Sequence, residues 1–150
     1  LKQCFFGEHL LPQHPYSSVG IVESEKTALI ATYYMPEYIW LATGGKNGCF
    51  NSDATKVLKN REVMLMPDLG ATQQWRQKTD LLTPICKRVV LCNILEEIAT
   101  EEQRNNGWDF ADFLLEENSN QNIPRRMIHK NPTLQKLIET FNLKLIDIHL

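Results

Sequence analysis

The chain has 150 residues, 43% of them apolar and 23% charged, with a formal net charge of −2. That length supports one domain with a core of its own. The lack of a basic balance excludes a polyanion held by overall charge, so a nucleic acid would need a local patch or a bound cation. No apolar run reaches the ~20 residues of a membrane-spanning helix and no signal peptide is visible, so the expectation is a cytoplasmic protein with no membrane partner.

In chain order, the segment Cys4 to Leu11 holds a candidate short strand in a lead-in that runs to residue 18. Val19-Gly20-Ile21-Val22 reads as the first buried strand and ends on a carboxylate, Glu23. A helix is expected over 25–34, stopped by Pro36, then a strand over 38–42 that runs into the loop Thr43-Gly44-Gly45-Lys46-Asn47-Gly48. Asn51-Ser52-Asp53 has the composition of a helix cap before 54–58. Residues 61–66 form a third strand leading to Pro67-Asp68, a helix covers 70–82, and 88–91 is a fourth strand.

Residues 96–104 are a polar helix or loop, Asn105-Asn106-Gly107 breaks the chain, and 109–117 is a short helix with Phe110, Phe113 and Leu114 on one face. After a polar linker over 118–122, Pro132 opens another helix with the apolar stripe Leu134, Leu137, Ile138 and Phe141. The end, "LKLIDIHL", partly alternates and is a candidate edge strand. Residues 1–117 therefore read as one domain, with 118–150 packed on it. The chain opens on Leu1 rather than Met and reads as a piece of a longer protein.

Strands that alternate with helices predict an α/β fold. The expected sheet is open and largely parallel, with about four core strands and helices on both faces. Such sheets bind ligands beyond the carboxyl ends of their strands. Glu23 and Asp68 fall there, and Asp109 and Asp112, three residues apart, share one face of the short helix. Carboxylates gathered without basic partners repel one another. A hard divalent ion, Mg²⁺ or Mn²⁺, would neutralise them and fill its remaining positions with phosphate oxygens. Each acid also has a plainer reading as a helix cap or first-turn residue.

Other features say less. Cys4, Cys49, Cys86 and Cys92 make no C-x-x-C pair, so reduced thiols and no zinc are expected. "TGGKNG" lacks the phosphate-loop spacing and reads as a turn at the mouth of the site, where Lys46 and the backbone amides could meet a phosphate. Lys56, Lys59 and Arg61, and Arg125, Arg126 and Lys130, read either as backbone guides for a nucleic acid or as solvated faces. Trp40, Trp75 and Trp108 are spaced like packing residues.

"IVESEKTALIA", "IWLATGG", "VMLMPDLGATQQW" and "GWDFADFLLEE", with "CFFGEHLL" ahead of them, together resemble the Toprim domain. The likeness runs from about Cys4 to Glu117 and is nearest to primase-like proteins of bacterial plasmids and of conjugative or mobilisable elements. It implies Mg²⁺-dependent nucleotidyl transfer on DNA or RNA in replication or mobilisation. Nucleotides and zinc-binding or helicase domains of the parent chain would then be partners. It implies that Glu23 is a general acid or base, that Asp68 is a Mg²⁺ ligand and that Lys26 contacts phosphate. Where the family has the second aspartate of its Asp-x-Asp motif, this chain has Gly70, leaving Asp109 or Asp112 as substitutes; Ser24 stands in place of a glycine after the glutamate. The alternative reading is a catalytically degenerate Toprim module that binds nucleic acid or protein. A nuclease or topoisomerase-type cleavage domain ranks third, because Tyr16, Tyr33, Tyr34 and Tyr38 have no reason to project into the site.

Overall fold

A computed structural model describes residues 3–45 and 48–116. Its core is a parallel sheet of four strands, β1 (Val19–Val22), β2 (Ile39–Ala42), β3 (Glu62–Leu65) and β4 (Arg88–Leu91), in the order β2-β1-β3-β4. The register sets Val19 beside Ile39 and Val63, and Glu62 beside Arg88. Parallel neighbours need crossovers. Helix α1 (Glu25–Tyr34) connects β1 to β2, a 3-10 turn (Ala54–Leu58) lies between β2 and β3, and α2 (Thr72–Leu82) connects β3 to β4. Three short helices follow: α3 (Ile94–Ile98), α4 (Glu101–Asn105) and α5 (Phe110–Leu115).

The strands read as near-continuous apolar runs because both faces of the sheet are covered. Side chains alternate between the faces. Val22, Trp40, Ala42, Met64 and Met66 join Ala28 and Ala31 of α1, Ile94 and Leu95 of α3, and the apolar face of α5. Val19, Ile21, Leu41, Val63 and Leu65 point the other way, onto Trp75 and Leu82 of α2 and Leu58. Gly20 is the exception that makes the first layer fit. A Cβ there would lie 2.5 Å from the Cε3 and Cζ3 atoms of Trp40, so the bare backbone lets the indole lie across β1.

Four segments differ from expectation. The lead-in forms a 3-10 helix (Glu8–Gln13) and a single antiparallel bridge, Phe6 to Ala42, in place of a strand. Residues 54–58 form a 3-10 helix, capped by Asn51, whose Oδ1 accepts from the amides of Asp53 and Ala54. The expected helix over 70–82 begins at Thr72, because Gly70 takes a left-handed φ of 78°. The polar stretch over 96–104 divides between α3 and α4. Arg61, expected in a basic cluster, instead ties the lead-in to the sheet: its guanidinium donates to the carbonyls of Leu11, His14 and Ser17. The C-terminal helix and edge strand expected beyond residue 117, with their basic residues, lie outside the described residues, as does Lys46. Among the described residues, no helix is long and apolar enough to cross a membrane.

Candidate functional site

The carboxyl ends of β1 and β3, central in the sheet, bring Glu23 and Asp68 together. Ile21 lies beside Leu65, and the Met66 amide donates to the Ile21 carbonyl, so the strands are still in register as they reach the edge. Glu23 follows β1 immediately and Asp68 lies three residues past β3. Glu23 is buried, 8% exposed. Its carbonyl accepts from the Gly45 amide at 2.9 Å, which holds Gly45 against the strand end.

The Asp68 carboxyl is strongly perturbed. Burial pushes its carboxyl up to about 7, and the negative charges of Glu23, Asp109 and Asp112 act in the same direction against the partial relief of Lys26. Its Oδ1 is buried without a hydrogen-bond partner among the described residues. The group therefore changes charge around neutral pH instead of in the usual carboxylate range.

Asp109 and Asp112 reach the same edge, and the protein itself occupies them. Asp109 is the N-cap of α5, and the two residues form a reciprocal capping box. Asp109 Oδ1 accepts from the Asp112 amide at 3.0 Å and Asp112 Oδ2 from the Asp109 amide at 2.9 Å. The other Asp109 oxygen, Oδ2, accepts from Thr27 Oγ1 at 3.1 Å and pairs with Lys26 Nζ at 2.9 Å; Lys26 lies 3.7 Å from Asp112. Burial works to raise the Asp109 carboxyl, but the Lys26 ammonium and the Asp112 amide outweigh it and hold the group below its usual range. Lys26 is raised in turn, chiefly by its hydrogen bond to Asp109.

Ser24, at the position where the resemblance has glycine, has φ −106° and needs no glycine. Its hydroxyl caps α1 by accepting from the Thr27 amide at 3.1 Å. The same hydroxyl lies 2.8 Å from Thr27 Oγ1, so Ser24, Thr27 and Asp109 form one polar line from the end of β1 to the start of α5.

Gly70 is also held from outside its own loop. Glu96 Oε1 accepts from the Gly70 amide at 2.7 Å, while its Oε2 pairs with Arg104 at 2.6 Å and its backbone carbonyl accepts a second guanidinium bond. Burial would raise the Glu96 carboxyl; Arg104 and the Gly70 amide bring it below its usual value. This clamp escaped sequence reading because it joins the loop before α2 to Glu96 of α3 and Arg104 of α4, which lie 26 and 34 positions further along the chain. The Asp109 capping box did carry a signal, an Asp-x-x-Asp ahead of an apolar run.

The four acids thus share an edge without forming a metal-ligand set. Among the described residues, no three His, Cys, Asp or Glu side chains are grouped as the ligands of one ion would be. Position 70 supplies no carboxylate, and Asp109 and Asp112 already have a counterion. An ion held by Asp109 or Asp112 would compete with the Lys26 ammonium. The four cysteines are free thiols. Trp40 and Trp75 are buried, and Trp108 packs edge-on against Phe113 at 5.4 Å.

Residues 1–69 match a family described as a domain of unknown function, DUF6371. The match includes Glu23 and Asp68 and stops before Asp109 and Asp112. No curated protein and no solved structure matches the chain.

Proposed function

We propose that this chain is a catalytically degenerate Toprim-like module of a primase-like replication or mobilisation protein, and that it acts by binding rather than by chemistry. The internal neutralisation of two of the strand-edge acids, Asp109 and Asp112, carries this reading. Lys26 sits between Asp109 and Asp112, and Gly70 stands where the resemblance has a second metal-binding aspartate. An edge built to hold Mg²⁺ would keep its carboxylates available and exclude a competing ammonium. The resemblance implies a nucleic acid as partner, and a protein is the other class. Direct binding of labelled single-stranded DNA and RNA separates them: salt-sensitive binding supports nucleic acid.

One observation favours the competing reading, Mg²⁺-dependent nucleotidyl transfer. Glu23 and Asp68 stand at adjoining strand ends with the Asp68 carboxyl strongly perturbed, as paired acids in catalytic sites are. Template-directed nucleotide incorporation with Mg²⁺ or Mn²⁺ decides between them. The binding reading predicts no incorporation by wild type above that of Glu23→Gln. Incorporation by wild type that Glu23→Gln abolishes would overturn it.

A further inference from the structure

The lead-in and the segment that follows the glycine loop run side by side. Gln3 Oε1 accepts from Asn51 Nδ2 at 3.2 Å, and the Phe5 ring meets Phe50 edge-on at 5.8 Å. Both segments are fixed to the rest of the fold. Phe6 exchanges backbone hydrogen bonds with Ala42 of β2, at 2.9 and 3.2 Å, and the Phe50 ring lies 5.4 Å from that of Trp75 on α2. Each segment carries one cysteine at these contacts: Cys4 stands between Gln3 and Phe5, and Cys49 directly precedes Phe50. Both are free thiols, Cys4 exposed and Cys49 buried.

The two groups also act on each other. Burial pushes the Cys49 thiol up to about 11, and the charges of Cys4 and Glu8 work in the same direction against a backbone hydrogen bond. Cys86 follows α2 and Cys92 follows β4, so neither stands on these two segments. The place of Cys49 bears on the strand edge. A Cβ at Gly48 would lie 2.2 Å from Thr43 Cβ, so the glycine loop closes on itself one residue before Cys49. The same loop gives the Gly45 amide to the Glu23 carbonyl.

We propose that Cys4 and Cys49 form a thiol pair that a small-molecule disulfide such as glutathione disulfide oxidises to one intramolecular disulfide, tying the lead-in to the base of the glycine loop. The Cys4 thiolate attacks one sulfur of glutathione disulfide and expels a glutathione thiolate, which leaves a mixed disulfide on Cys4. Cys49 gives its proton to solvent and attacks the Cys4 sulfur, expelling the second glutathione thiolate. Two protein thiols are oxidised, and one glutathione disulfide is reduced to two glutathiones. Exposure makes Cys4 the entry point, and burial shields Cys49 from direct attack on the reagent. The pair works independently of what the strand edge binds.

The reduced full chain is equilibrated with glutathione redox buffers, quenched with acid, alkylated and mapped by mass spectrometry without reduction. Folded wild type loses two hydrogens in mass and yields the peptides joined through Cys4 and Cys49, with Cys86 and Cys92 alkylated. The same bond forms less favourably in strong urea, by about tenfold or more, because the native contacts already hold the two segments together. Cys49→Ser stops at a glutathione mixed disulfide on Cys4. The wild-type map decides the matter even where that variant fails to fold. Folded wild type that stops at mixed disulfides, that joins another pair of cysteines or two chains, or whose Cys4–Cys49 bond is no more favoured than in urea overturns the proposal.

Discussion

Replacing Asp68 by Asn tests the electrostatics of the strand edge most sharply. The folded chain raises this carboxyl from 3.8 to about 7, mainly by burial and then by the charge of Glu23. Below the unfolded value both states hold the proton and there is no penalty. As pH rises from there toward the folded value, the unfolded chain ionises first and stability is lost; above it the penalty is complete. A shift of about three units at about 1.4 kcal/mol each gives a ceiling of about 4 kcal/mol, and screening by water at the rim leaves about 2 kcal/mol. Asp68→Asn removes the ionisation and keeps the shape. Urea unfolding in the presence of a chelator should therefore show the variant gaining stability over wild type by about 1–2 kcal/mol more near pH 8 than near pH 5. A difference that does not change with pH, or one that shrinks as pH rises, would refute the idea that burial and Glu23 press on this group.

Gly20→Ala should cost about 1–3 kcal/mol in the same assay, because the added Cβ meets the Trp40 ring at 2.5 Å, with a change in tryptophan fluorescence as the indole moves. Asp109→Ala removes the cap of α5 and the partner of Lys26 and should cost about 1–2 kcal/mol; a cycle with Lys26→Met should show coupling between the two sites. The Asp109 carboxyl is depressed in the folded state, so its contribution is present above the unfolded value and fades as pH falls through the folded one. The cost of Asp109→Ala should accordingly shrink below about pH 4. Gly70→Asp places a carboxylate at a position with open space around it, at a cost of about 1 kcal/mol for the left-handed backbone. If the Toprim-like reading is right, this variant acquires Mg²⁺ affinity that wild type lacks, which calorimetry would detect.

The sheet was legible because its signals are local. Apolar runs bounded by turns mark all four strands, and β1, α1 and β4 begin and end where the pattern places them. The strand-end rule also brought Glu23 and Asp68 to one edge from residues forty-five positions apart in the sequence. What stayed hidden was occupancy. Sequence spacing placed Asp109 and Asp112 near the site but did not reveal that each accepts the other's amide and that Lys26 reaches both from α1. Nor could it reveal Glu96 holding the Gly70 amide, or Arg61 gathering three carbonyls of the lead-in, because both are contacts between distant segments. The 3-10 geometry of 54–58 was equally out of reach, since five residues carry too little periodicity to separate it from an α-helix.

Titration of the full chain with Mg²⁺ at neutral pH, followed by calorimetry, bears most directly on the claim that Lys26 takes the place of a metal at Asp109 and Asp112 and that the edge works without one. The account predicts no stoichiometric binding, and no change in the response on Asp68→Asn. One tight site per chain, abolished by Asp68→Asn and weakened by Glu23→Gln, would contradict it.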